Sequence, residues 1–287
     1  MSQPGDRVTA GIGLGVIAYS LFSLHDASNK WLVMSLPVWQ VLFFRSVTIV
    51  VACLAIGRRP LLERIVATPL KLPLLGRGAM TLTAWLLYYT AARSMPLAQL
   101  LTLYFSSPIM TALLAIPLLG ERVSGFRWFT LILGFTGVLL ASDPFGLAFS
   151  WATAMVLAAS CLWGYAIILM RQISRKESSL VQMVYQNALF MVVTGIGTAL
   201  TWTQPSALDW VLLFGIGVLG GLGQYLLFEG CRLAPASVMA TVEYTALAWA
   251  FGLGWLVFGD VPSVAVTLGA AVIFASGLIL FLGERRR

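Results

Sequence analysis

Residues 92–125, ARSMPLAQLLTLYFSSPIMTALLAIPLLGERVSG, align without a gap to residues 231–264, CRLAPASVMATVEYTALAWAFGLGWLVFGDVPSV, and the match runs on to residues 141 and 280 at an offset of 139. Arg93 stands opposite Arg232, Pro96 opposite Pro235, Gly120 opposite Gly259, and acidic Glu121 opposite Asp260. Between these markers each copy is apolar. Towards the start of each half the match is looser, at an offset of 141 to 142: Lys30 faces Arg171, Gln40 faces Gln182 and Arg45 faces Asn187. The 287 residues therefore read as two copies of one unit.

The unit is one made for lipid. The chain is 59% hydrophobic and 10% charged, with a mean hydropathy of +0.90, against roughly 45–50% apolar and about 25% charged in soluble domains. Apolar runs between charges and turns predict ten membrane-spanning helices, at 10–31, 37–56, 73–92, 97–118, 126–142, 149–170, 181–202, 208–228, 235–257 and 262–282. The runs are about twice the length of a barrel strand and do not alternate. The first follows a polar start, Met1 to Thr9, without a small-residue cleavage site, and is read as retained. No polar stretch is long enough for a separate domain, so one membrane unit is expected, with repeats at 10–142 and 149–282.

Charge sets the expected orientation. With the N-terminus inside, 15 of the 18 basic residues fall on the cytoplasmic side, Lys30 and Arg93 fall outside, and Arg45 lies within a span. The positive-inside rule then predicts both termini in the cytoplasm. Five spans per half is an odd number, so the second copy enters from the opposite side and the repeats are inverted. Inverted repeats are the architecture of carriers that bind substrate near the midplane and expose it alternately to each side.

Pro96, Pro108 and the run ALLAIPLLGERVSG (112–125), repeated as APASVMATVEYTALAWAFGLGWLVFGDV (234–261), resemble the EamA-type repeat of the drug/metabolite transporter superfamily. Overall similarity points nearest to bacterial aromatic amino-acid exporters of the YddG type. The resemblance implies ten spans around a central cavity and export of amino acids, aromatic or neutral, or related metabolites across the bacterial inner membrane. A multidrug or organic-cation exporter is the alternative within the superfamily. Two departures, Leu247 opposite Pro108 and Asp260 in place of Glu121, warn against treating the halves as mechanically equivalent.

Charge deep in a span is costly and invites a functional reading. Glu243 lies eight residues beyond Pro235, with no basic residue one turn away, and is read as a substrate or proton ligand, or as a structural hydrogen-bond acceptor. Arg45 offers a bidentate fork to a carboxylate, or neutralises Glu243, or caps carbonyls. In the cluster His25, Asp26, Asn29 and Lys30, the i,i+4 spacing predicts an Asp26–Lys30 pair, with His25 as a possible proton relay beside Glu243. Glu229 and Arg232 read as a structural pair. Trp85, Tyr88 and Tyr89 share one face of the third span and, with Tyr104, Trp163 and Tyr244, are read as lining a cavity or as plain packing. Gln99, Thr102, Ser106, Ser107, Gln186 and Asn187 either complete that cavity or link helices. Pro108 is read as a hinge or a static kink, and the glycines of 11–15 and 215–223 as close-packing surfaces. Trp31, Trp39, Trp151, Trp202 and Trp210 fall where interfacial anchors are expected.

Other classes lack their motifs. One histidine, no H-E-x-x-H, no G-x-S-x-G and no G-x-x-x-x-G-K-[ST] argue against an enzyme or an ATP-driven pump. Cys53, Cys161 and Cys231 lack metal-ligand spacing, and no metal or cofactor is expected. The net charge of +7 sits in loops without a nucleic-acid reader motif. The expected partners are a small-molecule substrate and the bilayer, and ten helices can enclose a pathway in a monomer.

Overall fold

The computed structural model describes residues 4–107, 109–111, 113–114, 125–141, 150–234, 239, 242–243 and 245–285. Ten helices follow one another in these residues: α1 (Pro4–Ser35), α2 (Val38–Ala67), α3 (Lys71–Ala91), α4 (Leu97–Tyr104), α5 (Gly125–Ala141), α6 (Trp151–Ser174), α7 (Ser179–Leu200), α8 (Ala207–Leu233), α9 (Thr245–Phe258) and α10 (Val264–Arg285). Thr9–Ser35 within α1, and all of α2, α6, α7 and α8, are long and apolar enough to cross a membrane. Shorter apolar runs lie in α5, α9 and α10. The outward faces are apolar, with Ile56, Ile196 and Val211 each more than 60% exposed, whereas Arg45, Gln182 and Asn187 are fully buried. That inside-out distribution suits a hydrocarbon solvent, in which polar groups must find partners within the protein. Trp31, Trp151 and Trp202 are exposed near helix ends, as interfacial anchors would be.

Local sequence explains several boundaries. Ser150, Ser178 and Ser206 cap α6, α7 and α8, each accepting a backbone N–H, and Ser206 forms a reciprocal capping box with Asp209. In α2 the apolar run ends at a break: Arg58 adopts φ 48° and ψ −149°, with Pro60 just beyond, so the basic tail of the helix turns away from its apolar part.

The packing carries the repeat. The most extensive partnerships are α1 with α8, α2 with α7, α5 with α10 and α3 with α6, followed by α2 with α8 and α3 with α7. Replacing each helix by its counterpart five places along returns the same set of pairs. Thus α1–α8 becomes α6–α3, α2–α8 becomes α7–α3, and α2–α7, α4–α9 and α5–α10 map onto themselves. A two-fold relation between the halves is the simplest source of that invariance. At the α5–α10 crossing the backbones nearly touch, and a Cβ on Gly137 would lie 2.7 Å from the Gly269 carbonyl oxygen.

The repeat also appears bond by bond. Arg93 donates to the Leu36 carbonyl at 2.7 Å, and its counterpart Arg232 donates to the carbonyls of Glu177 at 2.6 Å and Ser174 at 3.1 Å. Leu36 and Glu177 stand 141 residues apart, the offset of the first part of each half. Each arginine thus ties the end of its half's third helix to the turn between the first two helices. Glu229 bonds Arg232 at 3.1 Å, as its spacing predicts.

Glu177 lies between α6 and α7 with its side chain 1% exposed. Burial alone would raise its pKa, but hydrogen bonds from the Ser178 N–H and Arg64, with the Thr68 hydroxyl close by, outweigh burial and hold the carboxyl below its ordinary value of 4.5. Stability from such a group is complete above the unfolded-state pKa and is lost as pH falls through the folded one. The thermal midpoint in detergent is therefore expected to fall as pH drops below about 4.5, less steeply for Glu177→Gln than for wild type. Equal slopes would remove Glu177 as a source of the acid sensitivity.

Candidate functional site

Five segments from both halves enclose one cavity of about 580 Å³, part of it open to solvent. From α1 come Tyr19, Phe22, Ser23, His25 and Asp26; from α3, Trp85, Tyr88 and Tyr89. The α4 region supplies Leu101, Tyr104 and Phe105, α6 supplies Trp163, α9 supplies Ala246, and Glu243 stands two residues before α9. Two repeat-related pairs are among them. Tyr104 and Glu243 stand 139 residues apart, and Phe22 and Trp163 stand 141 apart. The cavity therefore lies where equivalent positions of the two halves face each other.

Aromatic rings form a continuous wall. Trp85 meets Tyr89 edge-on with ring centres 6.0 Å apart, Tyr89 meets Tyr88 at 5.1 Å, Tyr88 meets Tyr104 at 4.9 Å, and Tyr104 meets Trp163 at 6.5 Å. The edge-on contacts suit ring quadrupoles and fix the ring planes. Glu243 is 6% exposed; the Tyr19 hydroxyl is its hydrogen-bonding neighbour. The Trp163 N–H lies close to the same carboxylate but outside hydrogen-bonding geometry, and it and the Tyr88 hydroxyl are buried without a partner among the described residues.

At the other end of the wall a polar chain crosses five helices. Arg45 donates through Nε to His25 Nε2 at 2.9 Å and through Nη1 to Asn187 Oδ1 at 3.1 Å. Its guanidinium also covers the Trp85 ring at 4.2 Å. Because an arginine Nε only donates, His25 Nε2 must accept, which assigns the proton of the neutral ring to Nδ1. That nitrogen lies 3.2 Å from Asp26 Oδ1, which also accepts from the Tyr89 hydroxyl at 2.8 Å. Asn187 in turn donates to Gln224 at 3.2 Å. Gly220 makes room for this chain, since a Cβ there would stand 2.8 Å from Arg45 Nε and 2.9 Å from His25 Cδ2. Arg45 and Asn187, matched in the sequence repeat, thus bond to each other across the α2–α7 crossing.

The residues singled out from sequence divide accordingly. Trp85, Tyr88, Tyr89, Tyr104, Trp163, Glu243 and His25 line the cavity, while Arg45 and Gln186 are fully or nearly buried outside the lining. Pro108 and Tyr244 lie outside the described residues. The expected Asp26–Lys30 pair is not formed. Lys30 instead pairs with Asp260 at 2.7 Å and sits over the Phe258 ring at 4.3 Å, which leaves Asp26 to the cavity. Nor does Arg45 neutralise Glu243, because the polar chain already holds its guanidinium against His25, Asn187 and Trp85. Arg77, counted with the cytoplasmic loops, is 1% exposed within α3, over the Phe228 ring. Sequence reasoning missed Tyr19, Phe22 and the cavity role of Asp26, although positions 19, 22 and 26 share a helix face at i, i+3 and i+7.

Comparison with known proteins adds the following. The model of the EamA-like transporter family matches the chain twice, at residues 9–143 and 150–282. A pseudopaline exporter of Pseudomonas aeruginosa is 28% identical over 96% of this chain and 97% of its own length. A riboflavin transporter of Rhizobium johnstonii is 26% identical over 99% and 95%. An S-adenosylmethionine uptake transporter of Rickettsia bellii is 26% identical over 97% and 96%. A solved crystal structure superposes with a TM-score of 0.72 over 99% of both chains at 17% identity, a likeness of fold.

Proposed function

We propose, for a chain that belongs to the EamA-like transporter family, that it carries a small organic metabolite across the bacterial inner membrane by alternating access through the cavity between its halves. The observation that carries this reading is the meeting of Tyr104 and Glu243, equivalent residues of the two repeats, in one aromatic-walled cavity. A site at the junction of two exchangeable halves is exposed to either side when the halves rock. Both halves would lie in opposite orientations, with both termini in the cytoplasm, as the loop charges favour.

Within this reading, Glu243, Trp85, Tyr88, Tyr89, Tyr104 and Trp163 contact substrate. Arg45 and His25 act one step back, because His25 Nε2 is occupied by Arg45 and the pair orients Asp26. Export of amino acids and export of organic cations are the two narrower readings. The cavity supports recognition of the ammonium part, since its described lining offers carboxylates and no lysine or arginine.

The test is solute counterflow in proteoliposomes, screened across amino acids, flavins, nucleosides and organic cations. A carrier shows saturable uptake that is accelerated when the same solute is preloaded inside. Uptake linear in concentration, with no acceleration by preloading, would fit a channel instead.

A further inference from the structure

The cavity holds two carboxylates far apart in the sequence, on opposite halves, and its described lining contains no lysine or arginine. Asp26 is not a spent partner. It is 18% exposed, and its two hydrogen bonds, from Tyr89 and His25, leave lone pairs free of the roughly four a carboxylate offers. The second independent feature is a pair of donors. The Tyr88 hydroxyl and Trp163 N–H line the same cavity in residues 5% and 9% exposed, and neither has a hydrogen-bond partner among the described residues. An indole N–H can only donate, so it calls for an acceptor atom on the occupant.

We propose that the cavity selects an organic cation that also carries a neutral hydrogen-bond acceptor, with Asp26 and Glu243 facing the cation and Tyr88 and Trp163 donating to the acceptor. This rests on the cavity being the transport site. The aromatic wall reinforces the choice of charge, because ring faces attract cations and repel anions. A free carboxylate on the occupant would meet neutral donors but also two like charges, with no lysine or arginine in the described lining to offset them. Specificity then comes from repulsion as well as attraction.

Four probes sharing a phenyl ring separate the terms: benzoylcholine (cation with acceptor), benzyltrimethylammonium (cation without one), phenylalanine (zwitterion) and 3-phenylpropionate (anion). Calorimetric binding to the purified full chain is expected to be at least tenfold tighter for benzoylcholine than for 3-phenylpropionate. Asp26→Asn is expected to weaken both cations, and Tyr88→Phe to weaken benzoylcholine at least threefold while leaving benzyltrimethylammonium unchanged. Binding of the anion or zwitterion as tight as that of the cations, or binding of no probe, overturns the assignment. If an anion binds and Tyr88→Phe weakens it, the cavity stands as the site and only the charge preference falls. If benzoylcholine binds and Asp26→Asn, Tyr88→Phe and Glu243→Gln all leave it unaffected, the site itself lies elsewhere. Size-exclusion profiles matching wild type exclude misfolding in each variant.

Discussion

Glu243→Gln is expected to cut saturable flux at least about tenfold for the solute that the counterflow screen identifies, while leaving the protein monodisperse. The substitution keeps shape and removes charge. A hydrogen bond to a charged group contributes about 1.5–3 kcal/mol, and each 1.4 kcal/mol is a factor of ten, so the loss should be roughly ten- to hundredfold. The alternative is that Glu243 serves only to hold helices together. Against it, no lysine or arginine lines the cavity among the described residues, and the group it faces, Tyr19, can donate to a glutamine as well. The control is Glu229→Gln, in the i,i+3 pair with Arg232, where little change in flux is expected. Unaltered transport by Glu243→Gln across pH 5 to 8 would remove Glu243 both as ligand and as proton carrier.

The second large effect is on stability. Arg45→Leu is expected to destabilise the protein by about 2–4 kcal/mol, an unpaired buried acceptor costing about 1–3 kcal/mol and a lost cation–π contact about 1 kcal/mol more. Arg45 is fully buried, and its loss leaves Asn187 Oδ1 without its donor at the α2–α7 crossing and His25 Nε2 with Asn29 Nδ2 alone, at 3.0 Å; leucine offers nothing to either. It also uncovers the Trp85 ring. Asn187→Ala should cost less, about 1–3 kcal/mol, because Arg45 keeps its bond to His25. The two losses should be non-additive, since the residues share a hydrogen bond. Thermal midpoints of the two single variants and the double variant in detergent measure this. An Arg45→Leu protein as stable as wild type would mean that the polar chain does not hold the halves together.

Much of this arrangement was legible before any coordinates. The gap-free offset of 139 paired Tyr104 with Glu243, and the i, i+3, i+4 spacing of Trp85, Tyr88 and Tyr89 put three rings on one face. What failed was the assignment of partners. Lys30 was matched to Asp26 because i,i+4 neighbours on a helix are close, yet its partner Asp260 arrives from 230 residues away, a contact no local spacing reveals. Arg45 and Gln186 show a related limit. Depth in a span can be read from position, but whether a side chain faces the cavity or a neighbouring helix depends on which helices pack there. Tyr19 and Phe22 share a helix face with Asp26, but that spacing alone does not say whether the face meets a cavity or a neighbouring helix.

The claim that the cavity is reached from both sides is tested most directly by thiol accessibility. Ser23 lines the cavity, is 2% exposed, and bonds only to the Tyr19 carbonyl, so Ser23→Cys is a mild change. In a background with Cys53, Cys161 and Cys231 replaced by alanine, this cysteine should react with a membrane-impermeant thiol reagent added to either face of the membrane, and transported solute should protect it in both cases. Reaction from one face alone under all conditions, or reaction that solute does not slow, would contradict alternating access through this cavity.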